Sequence, residues 1–375
     1  MALSKVDLAN MVENVAPAST IPDVNFRNII INGDMKQSQR STSVASITGS
    51  GYNTVDRFRT NMSSAGTWTQ SQSTTVPSGQ GFSTSLKMDC TTADGSLSAG
   101  DYLIIDQRVE GQNLQYLKKG TSSAESTTIS FWVRSNKTGT YIAALNDTDN
   151  SRYIAKSYTI SSADTWEKKT LTFAGDTTGA FGNDNGTSLK VQFWLAAGTT
   201  YTSGTLATSW ESATNANQAV GQVNLADSTS NEWYITGVQL EAGTTASDFE
   251  FLPHDIQIER CKRYFQTIGS IANPANGSNQ TISMAMARTV SQAQGWTALR
   301  PHMRGNPTVS GIGTVSNLKA HTTSGGNVNT SGIVTDGTPS PYQVNLHFNN
   351  LTSGLTANQP VRIYGDYTVT FDAEL

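Results

Sequence analysis

The stretch that decides the fold runs Ile129-Ser130-Phe131-Trp132-Val133, turns through the polar residues Asn136 to Gly139, and returns as Tyr141-Ile142-Ala143-Ala144-Leu145. Two short runs rich in β-branched and aromatic residues, separated by turn-forming residues, predict a β-hairpin. Outward from it, the same signal recurs at Tyr153 to Ile160, Trp166 to Phe173, Leu189 to Leu195 and Glu232 to Leu240. Upstream it recurs at Tyr102-Leu103-Ile104-Ile105 and at Asn28-Ile29-Ile30-Ile31, which ends in the turn Asn32-Gly33-Asp34. About nine or ten strands over some 225 residues predict a two-sheet sandwich. Long connections are expected at 60 to 80 and at 197 to 230, and these carry Trp68, Tyr201 and Trp210.

Two helical signals flank this region. Leu8, Met11, Val12 and Val15 recur at spacings of three and four and form one apolar stripe, which Pro17 and Pro22 interrupt. So short a helix is marginal alone in water, so it is expected to dock on a partner or to bundle with copies of itself. The second signal spans Pro253 to Phe265, with Ile258, Cys261 and Phe265 on one face, and is expected to join two units. Alternation then returns at Ile282 to Met286, Thr308 to Ser310, Val344 to Phe348 and Tyr367 to Phe371, predicting a second, smaller β-sandwich. The Gly/Ser/Thr/Asn-rich stretch 320 to 341 reads as a surface excursion. The expected organisation is 1–25 as an anchoring and oligomerisation segment, 26–252 as the sandwich, and 253–375 as the helix-led β unit.

Composition narrows the function classes. Of 375 residues only 14% are charged and 36% hydrophobic, while Ser and Thr make up roughly a quarter. A net charge of −4 argues against nucleic acid as the main partner. No run of about 20 apolar residues exists to insert in a membrane. The first residues lack a basic region followed by an apolar core, so no signal peptide is expected. Cys90 and Cys261 are read as buried free thiols rather than a disulfide or zinc pair.

Two resemblances add to this reading. The pairing of a first strand, Asn25 to Met35, with a last strand, Trp233 to Gly243, resembles the jelly-roll carbohydrate-binding modules. A wider resemblance rests on the order of several segments. They are Asn28 to Asp34, Val55-Asp56-Arg57-Phe58, Ile129 to Ser135, Gly237 to Glu241, Phe249 to Pro253, Glu259 to Phe265, Leu299 to Val309 and Phe371 to Leu375. In that order they are similar to structural proteins of tailed phages, the tail-fibre and head-fibre proteins common in marine podophages. This implies a jelly-roll fold and a homotrimer displayed on the virion surface. It further implies attachment to a tail or capsid protein through the N-terminus and contact with host-surface polysaccharide. Synthesis would be in the host cytoplasm. A head decoration fibre with a purely structural role is the alternative, and a glycan depolymerase a further one.

Candidate binding residues follow from the chemistry of sugars, whose C–H faces stack on aromatic rings. Trp68, Tyr201 and Trp210, placed in polar loops, are the candidate carbohydrate-binding residues, whereas Trp132, Trp166, Trp194 and Trp233 sit in strand patterns and are read as core. The resemblance implies a structural calcium near the first and last strands. Asp34 matches one acidic position, but Ile235, Thr236 and Gly237 stand where the second acid is expected. The stretches 146–150 and 183–186 offer hard oxygens but read as Asx turns. Asp56-Arg57 is read as a structural pair at a sheet edge. His254, His302, His321 and His347 show no metal-ligand spacing, and there is no nucleophile elbow, phosphate loop or short β-helix repeat. No enzymatic activity is expected.

Overall fold

In a computed structural model of the chain, the described residues are 26–269, 281–311, 313–321, 327–352, 354–365 and 368–375. The N-terminal stripe of Leu8, Met11, Val12 and Val15 lies outside them.

The first unit holds strands β1 (Ser43–Ile47), β2 (Gly51–Tyr52), β3 (Arg59–Ser63), β4 (Thr67–Ser73), β5 (Ser85–Thr92), β6 (Tyr102–Glu110), β7 (Thr127–Ser135), β8 (Gly139–Asp147), β9 (Arg152–Ile160), β10 (Glu167–Phe173), β11 (Thr187–Ala197), β12 (Glu211–Ser212) and β13 (Glu232–Ala242). They form two antiparallel sheets, β1-β4-β5-β13-β7-β10 and β12-β9-β8-β11-β6-β3-β2. Trp68, Leu86, Met88, Phe131, Val133, Trp233 and Ile235 of the first sheet meet Leu103, Ile105, Tyr141, Leu145, Tyr158 and Phe193 of the second in one core. The architecture is the expected all-β jelly-roll sandwich.

The two sheets differ on their outer faces. Tyr102 to Ile105 and Tyr141 to Leu145 are apolar without alternation because both faces of their sheet are covered. Residues 198–222, including α1 (Thr199–Thr202), fold over the outer face and bury Ile104, Ile142, Ala144, Tyr153 and Trp194 beneath Ala207, Ala219 and Tyr201. The six-stranded sheet alternates instead. In β7, Ile129, Phe131 and Val133 point inward, so Ser130, Trp132 and Arg134 point outward.

Sequence patterning missed the strands between 43 and 92. The region read as a loop contains β3 and β4, and in β4 only Trp68 and Gln70 face inward. Gln70 is fully buried and satisfied: its side chain accepts from Thr54 N and Oγ1 and donates to Thr60 Oγ1. A strand that fills its core positions with one Trp and one hydrogen-bonded Gln carries little apolar periodicity. Asn28–Ile31, expected to be a strand, is irregular because its backbone bonds go largely to side-chain amides. Ile31 N and O pair with Gln107 Oε1 and Nε2 at 2.8 and 2.9 Å, and Ile30 N donates to Asn28 Oδ1.

After α2 (His254–Lys262) come β14 (Phe265–Gly269), β15 (Thr281–Thr289), β16 (Gln292–Ala298), β17 (Thr308–Ser310), β18 (Gly313–His321), β19 (Asn327–Thr335), β20 (Gln343–Asn349), β21 (Pro360–Gly365) and β22 (Thr368–Asp372). The expected second sandwich is a closed barrel, β15-β16-β20-β19-β18-β21, beside a three-stranded sheet, β14-β22-β17. Closure pairs β21 with both β15 and β18 and leaves the barrel no free edge. Half of the predicted excursion at 320–341 is barrel strand; its inward positions Ala320 and Thr330 are small or polar, and Val328 and Ile333 alone are too few to show a pattern.

The joint between the units is polar. Arg263 grips Glu110 through Nε and Nη2 at 2.8 and 2.7 Å, and Tyr264 and Gln112 also donate to that carboxylate. Arg57, fully buried, lies 3.5 Å over the Tyr264 ring and pairs with Glu374, not with Asp56. Asp56 instead accepts from Gln39 N and Nε2, so Asp56-Arg57 is part of the joint rather than a sheet-edge pair. Helix α2 docks through Gln257 and Cys261, and Ile256 faces solvent.

Candidate functional site

The outer face of the six-stranded sheet is the candidate binding face. Strand register places Lys87 of β5, Tyr234 of β13 and Arg134 of β7 in one row. The next row holds Thr236, Trp132 and Lys168. Trp166 stands just ahead of β10, its ring 6.2 Å from Tyr234. Part of the face is covered: Thr236 donates to Thr84 O, Gln239 to Ser247 Oγ and Asp248 O, and Thr128 to Gly243 O, and all three are buried. Trp132 and Trp166 belong to no apolar cluster among the described residues and stay partly exposed.

Charge is organised around Tyr234, which is only 5% exposed. Its hydroxyl donates to Glu232 Oε2 at 2.6 Å, and Glu232 Oε1 takes Lys87 Nζ at 2.6 Å. The Arg134 guanidinium lies 4.9 Å from the Tyr234 ring centre and is held by Asp164 through Nε and Nη2. Burial pushes the Tyr234 phenol up, and its bond to Glu232 adds to that. Burial also acts to raise Glu232, but the bonds from Lys87 and Tyr234 outweigh it and hold the carboxyl below the usual range. The half-buried rings of Trp132 and Trp166 therefore sit among fixed, ionised donors and acceptors. That combination suits a ligand with C–H faces and many hydroxyls.

The candidate residues expected from sequence lie elsewhere. Trp68 is 0% exposed and donates its indole N–H to Ala65 O; it belongs to the core and cannot meet a ligand. Tyr201 packs edge-on to Tyr102 at 5.4 Å and against Trp194 at 5.3 Å, within the layer over the other sheet. Trp210 leans on the main core, with its N–H on Ala174 O at 2.7 Å and Lys119 5.4 Å from its ring. Of the four tryptophans read as core, Trp194 and Trp233 are buried, but Trp132 and Trp166 are half-buried on the outer face of the six-stranded sheet. The alternation Phe131-Trp132-Val133 carried the signal: a ring between two inward residues points outward.

The residues do not fit the expected calcium. Asp34 is buried and its carboxylate takes the Gln257 side-chain N–H, which also donates to Asn32 Oδ1. An amide donor aimed at the acid is the reverse of a cation site. Among the described residues no three His, Cys, Asp or Glu converge as a metal cluster. At 146–150, Asp147 accepts from Asp149 N and Asn150 N as an Asx turn, and the cation beside it is Lys119 Nζ, 2.6 Å from Asp147 and 3.1 Å from Asp176. Asp184 likewise accepts from Gly186 N. Cys90 and Cys261 are buried and free.

In architecture the chain is a jelly-roll β-sandwich joined to a β-barrel. No family model and no curated protein matches it. Among solved structures it is similar to the enzymatically active domain of tailspike protein 4 of bacteriophage CBA120, at 14% identity and a TM-score of 0.31 over 58% of this chain and 22% of that one. The chain thus spans less than a quarter of the tailspike structure. It is also similar to a family 61 carbohydrate-binding module solved with β-1,4-galactotriose, at 12% identity and a TM-score of 0.29 over 58% of this chain and 99% of that one. A third similar structure is the family 11 module of a Clostridium thermocellum cellulosomal cellulase, at 13% identity and a TM-score of 0.26 over 54% and 99%.

Proposed function

We propose that this protein is a glycan-binding fibre subunit of a phage particle that holds host-surface polysaccharide without cleaving it. The observation that carries the binding reading is Trp132, a partly exposed tryptophan at an outward strand position, bordered by Trp166, Lys168 and the Arg134–Tyr234–Glu232–Lys87 array. A partly exposed aromatic at a position where alternation calls for a polar residue marks a candidate ligand contact. The non-enzymatic reading is supported by the state of the acids on this face. Cleavage of a glycoside needs a protonated acid beside a second carboxylate, whereas Glu232 is tied to Lys87 and kept ionised.

The virion role rests on the order of the sequence segments that resemble phage fibre proteins. In this reading the chain is a homotrimer attached to the tail or capsid by residues 1–25, and three weak sites gain avidity on a polymeric ligand. The test is a glycan array with the full-length protein and Trp132→Ala. Binding to host polysaccharide that falls at least tenfold in the variant supports the proposal. Equal signal from both forms overturns the assignment of this face. Absence of binding together with normal incorporation into particles leaves the decoration role, and release of reducing ends revives the depolymerase. Deletion of residues 1–25 should abolish incorporation while the remainder stays folded.

A further inference from the structure

Between the jelly roll and α2 lies a cavity of about 350 Å³, within the size range of small-ligand sites. Its walls include the rings of Phe26, Tyr116 and Tyr264, the amides of Gln112 and Asn113, and Arg260. The two arginines that reach it differ in their counter-charges. Arg263 is neutralised by Glu110, and that carboxylate is saturated, since Tyr264 and Gln112 donate to it as well. Arg260 has no acidic oxygen within 4.0 Å among the described residues, and its one hydrogen bond is a long 3.4 Å contact to Asn28 O. Glu250 acts on it only from farther away and is itself engaged by Asn28 N–H at 2.9 Å. Burial holds the Arg260 guanidinium below its ordinary range, as expected for a cation drawn out of water without a partner.

We propose that this cavity is a binding site for a sugar ring bearing a single carboxylate, a uronic acid unit. The planar guanidinium fork of Arg260 matches a carboxylate in two parallel hydrogen bonds. One unmatched positive charge balances one carboxylate, whereas a phosphate dianion would bring excess negative charge close to Glu110 and Glu250. The Phe26 and Tyr116 rings offer surfaces to the C–H face of the sugar, and the Gln112 and Asn113 amides meet its hydroxyls. The site is separate from the sheet face, so the two readings stand or fall independently.

Calorimetric titration of the full-length protein with glucuronate and galacturonate tests this, with methyl glucoside, acetate and inorganic phosphate as comparison ligands. At least one uronate should bind at least tenfold more tightly than all three comparison ligands. Arg260→Gln should abolish that preference, and Arg260→Lys should weaken it. Asn113→Ala, in the wall of the same cavity, should weaken binding with no change in the protein's charge, so the test survives if an Arg260 variant does not fold. Equal affinity for methyl glucoside, phosphate binding as tight as uronate, acetate binding as tight as uronate, or no uronate binding would each overturn the proposal.

Discussion

Two tryptophans divide the labour that composition assigned to aromatic residues at large. Trp68 has its whole side chain inside the core, so Trp68→Ala should cost about 3–5 kcal/mol of stability, read by urea unfolding. Trp132 is partly exposed at an outward strand position, and its truncation should cost about 1 kcal/mol or less while removing glycan binding. A Trp132→Ala loss as large as that of Trp68→Ala would return Trp132 to the core. Lys119 has the opposite character. It is buried between Asp147 and Asp176 and donates to Thr178 O and Gly179 O. Lys119→Met would leave the buried Asp147 without its cation, Asp176 keeping Arg152, and should destabilise by about 3–5 kcal/mol, with added calcium restoring nothing in a melting assay.

At the scale of elements, the link between the chain's first described segment and its last jelly-roll strand is centred on one side chain, with backbone bonds on either side of it. Strand β13 shifts register between Thr236 and Gln239, with Gly237 at φ +62. The shift is bridged by Asn28, whose Nδ2 donates to Val238 O at 3.1 Å and whose Oδ1 accepts from Leu240 N at 3.1 Å. Ile29 N donates to Leu240 O, and Val238 N to Gly33 O. Gly33 is required by this approach, since a Cβ there would lie 2.0 Å from Val238 O. Asn28→Ala leaves buried donors and acceptors unpaired and should cost about 2–4 kcal/mol. Hydrogen exchange should locate the damage, with the Ile29 and Leu240 amides losing protection before those of β11; uniform loss across both sheets would contradict a local clamp.

At the scale of the whole molecule, the two units are held by charge inside a small apolar contact of Ile31, Cys261, Tyr264 and Leu375. Glu374→Ala strands the buried Arg57 and should cost about 3–5 kcal/mol. In calorimetry a single unfolding peak should split as barrel and jelly roll uncouple. The joint also predicts the response to acid. Burial alone would raise the Glu110 carboxyl, but the bonds from Arg263, Tyr264 and Gln112 together bring it below its ordinary value of 4.5. The folded state therefore holds that proton less tightly than the unfolded chain. Its stabilisation is complete above about pH 4.5 and is lost as pH falls through the lowered value. Asp176, also lowered, adds to the loss, whereas Asp56 and Asp106, raised by burial, act with the opposite sign. Glu110→Gln should start less stable at neutral pH and lose less between about pH 5 and 3 in thermal melts; an acid limb as steep as the parent's would remove Glu110 from the account.

What the amino-acid order determined by itself was the local periodicity. It marked β6 to β11 and β13 and the helix after Pro253, but read Trp132 as core although the alternation in β7 turns it outward. It was silent where polar residues fill core positions, as Gln70 and Thr330 do, because their burial depends on partners distant in sequence. Only the tertiary structure decided which sheet face is covered. The segment 198–222 buries the outer face of the seven-stranded sheet, whereas that of the six-stranded sheet is covered only in part, and that choice sent Tyr201 into a packed layer and left Trp132 partly exposed. Alternation tells a ring which way to point, but whether anything waits there is set by long-range packing. The same holds at the joint, where Arg57 passes over the adjacent Asp56 to meet Glu374 because the fold, not the order of residues, brings that charge to it.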